Sequence, residues 1–197
     1  MIERPPPLLN RPESAVTVHQ GPIFSVWEWS QSVGDDEYRT YEQLSRRDTA
    51  LILPVTREGD LLLVEETQPG MSARLHSIGG KVDDGEDPEH TARRELMEEA
   101  GVSVDELFLW HSWQPLSKLD WAVYVFWASG ACNAGPTSLE PGEQISKRWV
   151  DADEFAAGNA PIGFSDAELT FLFGEARLSD AGQSRLRSSY EKCRAHE

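Results

Sequence analysis

An α/β fold of mixed strands and helices is what this sequence predicts, on three observations. Short runs rich in branched and aromatic residues, the mark of strands, occur both before and after the middle of the chain. Between them lies one sharply delimited helical segment, with start signals at Asp87-Pro88 and a stop at Gly101. Further helical patterns follow the last strand-like run. The 197 residues suffice for one domain, or for a catalytic domain with a small appendage, and can bury a proper core. No internal repeat stands out.

Taken in order, Val16 to Glu28 alternates and carries aromatic residues, Gly34-Asp35-Asp36 supplies a turn, and Tyr38 to Leu44 resumes, which predicts an N-terminal hairpin. Ala50 to Val55 and Asp60 to Glu65 read as two strands separated by Thr56-Arg57-Glu58-Gly59, a composition suited to a tight turn. Gln68-Pro69-Gly70-Met71-Ser72 links them to the helical segment. There Asp87 offers a side-chain acceptor and Pro88 suits the first helical position. Gly101 can take the left-handed conformation just past the helix, with Val102 as the closing hydrophobe. Leu107 to Trp113 and Trp121 to Ala128 read as strands, and the second is apolar on both faces, which places it centrally in its sheet. Gly130 to Gln144 is a loop of Gly, Pro and acidic residues. Ile145 to Val150 makes a last strand, Asp153 to Ala157 begins a short helix, and Asp166 to Arg177 forms another that packs through Leu169, Leu172 and Phe173. The tail from Ser179 to Glu197 is helical in composition but polar, and its pattern assigns it no role. Residues 1–47 are read as an N-terminal strand extension and 48–197 as the main domain.

The formal charge of −16 argues against a nucleic acid polymer as partner, because such binding relies on dense basic contacts with phosphates. A small anion stays compatible, since bound cations can invert the local field. The two cysteines, Cys132 and Cys193, have no partner at metal-site spacing and read as ordinary thiols. With no apolar run of membrane length and no apolar leader after Met1, the expectation is a soluble, cytoplasmic protein with no membrane partner.

Chemistry concentrates in Gly80 to Val102, GKVDDGEDPEHTARRELMEEAGV. At 3.6 residues per turn Glu95 and Glu99 lie one above the other and Glu98 sits on the neighbouring edge, so three carboxylates crowd one flank of a helix. Like charges at that spacing cost a few tenths of a kcal/mol per pair. Hard cations with oxygen ligands would compensate them, and Mg²⁺ is the natural choice because it needs few carboxylates and completes its shell with water and phosphate. Arg94, one turn before Glu98, can pair with it and leave Glu95 and Glu99 freer for metal. The stripe Ala92, Leu96 and Ala100 is apolar and should pack on a sheet. Gly79 and Gly80 suit a turn in which backbone approaches a ligand closely.

The spacing of Gly80, Glu86, Arg94, Glu95, Leu96, Glu98, Glu99, Gly101 and Val102 matches the Nudix box without departure. If each of the seven fixed glycine and charged residues occurs at roughly one position in fifteen, a chance match in this length has odds on the order of one in a million. The chain therefore resembles the Nudix hydrolases, which use divalent metals to split nucleoside diphosphates linked to another group. The resemblance implies an α/β/α sandwich with a mixed sheet, here preceded by the N-terminal hairpin. It also implies Mg²⁺, with Mn²⁺ as a possible substitute, held by Glu95, Glu99 and Glu98 with the Gly79 carbonyl. Glu86 is implied to support the loop rather than bind metal.

Outside the box, Asp48 to Thr56 and Leu61 to Gln68, preceded by N-terminal strands, resemble the ADP-ribose and nucleotide-sugar pyrophosphatase branch. In that branch the N-terminal strands build a homodimer. Catalysis is assigned to Glu143 of the loop before the last strand, with Glu140 as second choice and Glu98 shared between metal binding and catalysis. Substrate contacts are assigned to Arg74, His76, Gln68 and Trp27, the last as a stacking group among the tryptophans Trp27, Trp29, Trp110, Trp113 and Trp121. Arg39, Arg46, Arg47 and Lys118 are weaker phosphate candidates than Arg74. The branch commonly has arginine where this chain has Gln68 and glutamate where it has His76. These departures leave ADP-ribose and other nucleoside diphosphate sugars, GDP-mannose among them, as alternatives. The expected reaction is hydrolysis of the pyrophosphate bond to a nucleoside monophosphate and a sugar phosphate. The rivals are a nucleoside triphosphate pyrophosphatase and a non-catalytic nucleotide-sensing domain.

Overall fold

The computed structural model describes residues 2–139, 142 and 144–195. In chain order its first strands are β1 (Val16–Gln20), β2 (Ser25–Gly34), β3 (Glu37–Ser45), β4 (Thr49–Pro54), β5 (Asp60–Thr67), β6 (Arg74–His76) and β7 (Ile78–Lys81). Helix α1 (Pro88–Ala100) is followed by β8 (Val102–Ser103), β9 (Glu106–Trp113), β10 (Leu119–Asp120), β11 (Val123–Ser129), β12 (Cys132–Asn133) and β13 (Gln144–Asp151). Helices α2 (Ala152–Ala156), α3 (Ala167–Leu178) and α4 (Asp180–Arg194) close the described chain.

β4 and β11 are buried along their whole length, as expected of strands apolar on both faces. They pair in parallel, from Val123 opposite Thr49 to Ala128 opposite Pro54, in a sheet ordered β7-β4-β11-β9. Alternation then splits the core in two. Ala50, Ile52, Tyr124 and Phe126 pack with Ala92, Leu96 and Ala100 of α1, while Leu51, Leu53, Val125 and Trp127 pack with α2, α3 and α4. Helices therefore cover both sheet faces, the α/β/α sandwich.

Three expectations are refined. The strands flanking Thr56–Gly59 do meet at one bridge, Val55 to Leu61, but β5 leaves for another sheet, ordered β13-β5-β6. The N-terminal hairpin is a three-stranded meander, because Gly21-Pro22 breaks the first run and Gly21 N–H donates to the Phe24 carbonyl at 2.8 Å. β10 adds to this sheet in parallel with β3, and Arg4 pairs with Asp48 at 2.7 Å and with Asp120 at 2.9 Å. Thus residues on both sides of the expected boundary at residue 47 share one sheet.

The polar tail is the third. α4 buries Leu186, Tyr190 and Cys193, three positions on one stripe, against the inner sheet face. Trp127 Nε1–H donates to Ser189 Oγ at 2.9 Å, and its ring lies 5.2 Å from that of Tyr190. No helix among the described residues is long and apolar enough to cross a membrane.

Candidate active site

α1 begins where the sequence places it. Asp87 is the N-cap and accepts from Glu89 N–H at 3.0 Å, Pro88 opens the first turn, and Gly101 ends it at φ 57°. Fixing both ends fixes which residues face the sheet, so Ala92, Leu96 and Ala100 go inward. Glu95, Glu98 and Glu99 line the cleft beside Gly79 and Gly80 of β7. The approach of helix to strand is close. A Cβ on Gly80 would overlap the Glu95 carboxylate, and one on Gly79 would overlap the Ala50 carbonyl oxygen.

Arg94 organises the acids more broadly than its spacing from Glu98 suggests. It donates to Glu98 Oε2 at 3.0 Å as expected, but also to Glu95 Oε1 at 2.8 Å, to both Glu86 oxygens, and to the Lys81 carbonyl at 3.1 Å. Glu95 is thus not freer than Glu98, contrary to the expectation from spacing. Glu99 lies elsewhere, with its Oε2 accepting from Gly79 N–H at 3.3 Å. Burial pushes the Glu95 carboxyl above its ordinary range, against the pull of Arg94. Glu86 goes the other way, pushed down to about 2, chiefly by the Arg94 guanidinium and further by Thr91 Oγ1–H and Asp83 N–H. It clamps the loop to the helix.

These acids open into a cleft of about 570 Å³. Arg46, Arg47 and Lys81 bring positive charge to it, with Ile23 from the β1–β2 turn of the same chain beside them. Arg47 is also paired with Asp83 at 2.6 Å, and the Arg46 guanidinium lies 4.8 Å from the Trp121 ring centroid. Glu66, Gln68 and His76 line the cleft from β5, the residue after it, and β6.

Of the residues singled out from sequence, the cleft gathers Gly79, Gly80, Arg94, Glu95, Glu98, Glu99, Gln68 and His76, and of the weaker phosphate candidates Arg46 and Arg47. Arg74 is exposed on β6 outside the cleft lining, so Arg46, Arg47 and Lys81 are the basic groups at hand besides Arg94. Trp27 also lies outside it. Its Nε1–H donates to Ser45 Oγ at 2.8 Å and the Arg11 guanidinium stacks on its ring at 3.9 Å, so it braces the N-terminal sheet. Glu140 and Glu143 lie outside the described residues. Their neighbours Ser138 and Leu139 line the cleft, and Ser138 N–H donates to the Glu98 carbonyl at 2.7 Å. Glu66 was missed, although Leu62, Val64 and Glu66 alternate on one face of β5 and all three are buried. An acid continuing an apolar period-two stripe was the available signal.

Among the described residues no three His, Cys, Asp or Glu side chains close on a single point. The donor set is nonetheless all oxygen, from Glu95, Glu98, Glu99 and the adjacent Gly79 backbone, which is the chemistry of a hard divalent cation. The residues fit such a group, with the Arg94 contacts to Glu95 and Glu98 as those to be exchanged.

Residues 45–173 match the NUDIX domain. The chain belongs to the NUDIX family. Among its relatives, this NUDIX protein is 31% identical over 94 residues to the 8-oxo-dGTP diphosphatase of Escherichia coli (strain K12), covering 47% of this chain and 73% of that one. It is 39% identical over 57 residues to the ADP-ribose pyrophosphatase of Bacillus subtilis (strain 168), a stretch of 28% of this chain and 31% of the relative. Its fold resembles the crystal structure of an ADP compounds hydrolase, with a TM-score of 0.69 at 22% identity over 90% of this chain and 98% of that one. The NUDIX fold is thereby established across most of the chain, and the protein is a NUDIX pyrophosphohydrolase.

Proposed function

We propose that this NUDIX enzyme hydrolyses the pyrophosphate bond of a nucleoside diphosphate sugar or of ADP-ribose, giving a nucleoside monophosphate and a sugar phosphate. The observation that carries this reading is the make-up of one cleft. Its acidic α1 flank and its basic Arg46, Arg47 and Lys81 suit a metal-bridged diphosphate, while Glu66, Gln68 and His76 provide hydrogen-bonding groups for something beyond the phosphates. The Bacillus subtilis relative, named for ADP-ribose, and the ADP compounds hydrolase of like fold support the same class.

Glu95, Glu99 and Glu98 with the Gly79 carbonyl would hold Mg²⁺, or Mn²⁺ in its place. Such a cation, when bound, offsets the diphosphate charge and lowers the pKa of a coordinated water. Arg46, Arg47 and Lys81 draw the anionic substrate in. A water oxygen forms the new bond to one phosphorus, the bridging P–O bond breaks, and the released protons pass to solvent through a carboxylate. We assign that carboxylate to Glu143, with Glu140 second; Ser138 and Leu139, which precede both in sequence, line the cleft. The outer face of the N-terminal sheet carries exposed Val16, Val18 and Tyr38, which supports its assignment as a homodimer surface.

The Escherichia coli relative favours a second reading, pyrophosphate release from a nucleoside triphosphate. One experiment separates them. Purified protein with Mg²⁺ is given ADP-ribose, GDP-mannose, other nucleotide sugars and nucleoside triphosphates, and the products are resolved by chromatography. Monophosphate from a diphosphate sugar is the expected result. Pyrophosphate from triphosphates alone would establish the second reading, and no cleavage of anything would make this a binding domain.

A further inference from the structure

The acids of the cleft differ in what holds them. Glu95 and Glu98 are held by Arg94, and Asp83 by Arg47. Glu66 is held by side chains of its own sheet region instead. Gln68 Nε2–H donates to its Oε1, and His76 Nε2 lies 2.8 Å from its Oε2. The other ring nitrogen, Nδ1, is 2.7 Å from the Ser77 carbonyl oxygen, so both nitrogens of His76 face acceptors and the ring is fixed from two sides. Ser77 is fixed in turn, its N–H donating to Asp166 Oδ2 at 2.9 Å.

Glu66 is only 9% exposed, at the end of an otherwise apolar stripe. Burying a carboxylate costs several kcal/mol unless donors compensate it. Gln68 supplies a donor to one oxygen, and His76 supplies one to the other when its Nε2 carries a proton, yet a carboxylate offers about four lone-pair directions. Acceptor capacity is therefore left over on a group whose position is fixed and which lines the substrate cleft. A cation or a hydrogen-bond donor could use it, and the cation is assigned to the α1 flank, which leaves the donor. Phosphate oxygens are acceptors at neutral pH and alkyl groups have nothing to give, whereas sugar hydroxyls donate.

We infer that Glu66 is a specificity-determining residue that accepts a hydrogen bond from a hydroxyl of the sugar attached to the diphosphate, with Gln68 and His76 as its positioning residues. The inference rests on the hydrolase reading above. It gives the chain a means of choosing nucleoside diphosphate sugars over triphosphates, because a terminal phosphate in that place would leave the carboxylate desolvated without a donor.

The test compares kcat/KM for three compounds of one nucleoside: the best diphosphate sugar, the methyl ester of the diphosphate, and the triphosphate. The unaltered chain should prefer the sugar over the methyl ester by about tenfold or more, the range of a hydrogen bond to a charged group. In Glu66→Gln that preference should fall to within about threefold, with a relative gain for the triphosphate, an effect on discrimination that a loss of general stability does not produce. Gln68→Leu removes one positioning donor and should move the same ratio the same way by about threefold, so the test stands even if the Glu66 variant does not fold. Equal loss on all three compounds, or unchanged ratios in an active variant, would overturn the inference alone. Failure of the unaltered chain to cleave any diphosphate compound would overturn the hydrolase reading and this inference with it.

Discussion

Glu99 accepts from the Gly79 amide, whereas Glu95 and Glu98 accept from Arg94. Replacing it by Gln keeps size and hydrogen bonding but removes charge. Glu99→Gln should retain the far-UV circular dichroism of the parent while kcat falls by about two orders of magnitude or more, the scale of losing one group from a charge-stabilising site. Near-normal turnover would remove Glu99 from the site. Glu86 makes a separate prediction through pH. Its carboxyl, pushed down to about 2 in the fold, lies below its ordinary value of 4.5, so it stabilises the fold fully above the unfolded value. That contribution is lost as pH falls from about 4.5 toward 2. Urea midpoints measured across this window should decline, and Glu86→Gln should flatten the decline while lowering stability at neutral pH by about 1–3 kcal/mol. A parallel decline in the variant would exclude Glu86 as the source.

Elements were legible in proportion to how local their causes are. α1 could be read to the residue because Asp87, Pro88 and Gly101 act within one turn of its ends, and its acidic flank follows from helical spacing alone. β11 could be placed centrally because burial on both faces leaves an unbroken apolar run. α4 could not be placed, since Leu186, Tyr190 and Cys193 are sparse among polar residues and become a core stripe only when Trp127 is brought against them. Glu66 shows the same limit in the site. Its partner His76 is ten residues away and joined to it only by the β5–β6 pairing, which sets Val64 opposite His76. A truncation of Leu186 tests the element directly. Leu186→Ala should cost about 2–5 kcal/mol in chemical denaturation, as for a buried leucine in a tightly packed core, whereas a helix lying loosely on the surface would lose well under 1 kcal/mol.

At the scale of the molecule, the two core clusters on opposite faces of the sheet separate duties. One seats α1 and hence the carboxylates, and the other seats α2, α3 and α4. The N-terminal sheet stands apart from both clusters, apart from its tie to β10. β3 is the feature with the longest reach. It runs from the turn at Gly34–Asp36 to Ser45, laddered to β2 throughout, and Arg46 and Arg47 of the cleft follow it directly. Such a strand is a lever arm. A push on its far surface meets the two arginines first and reaches the acids of α1 only through Arg47, Asp83 and Glu86. If a second copy rests there, as proposed above, dilution that separates the two should raise KM with kcat little altered, and equal kinetics at every concentration would mean the arm is never pushed.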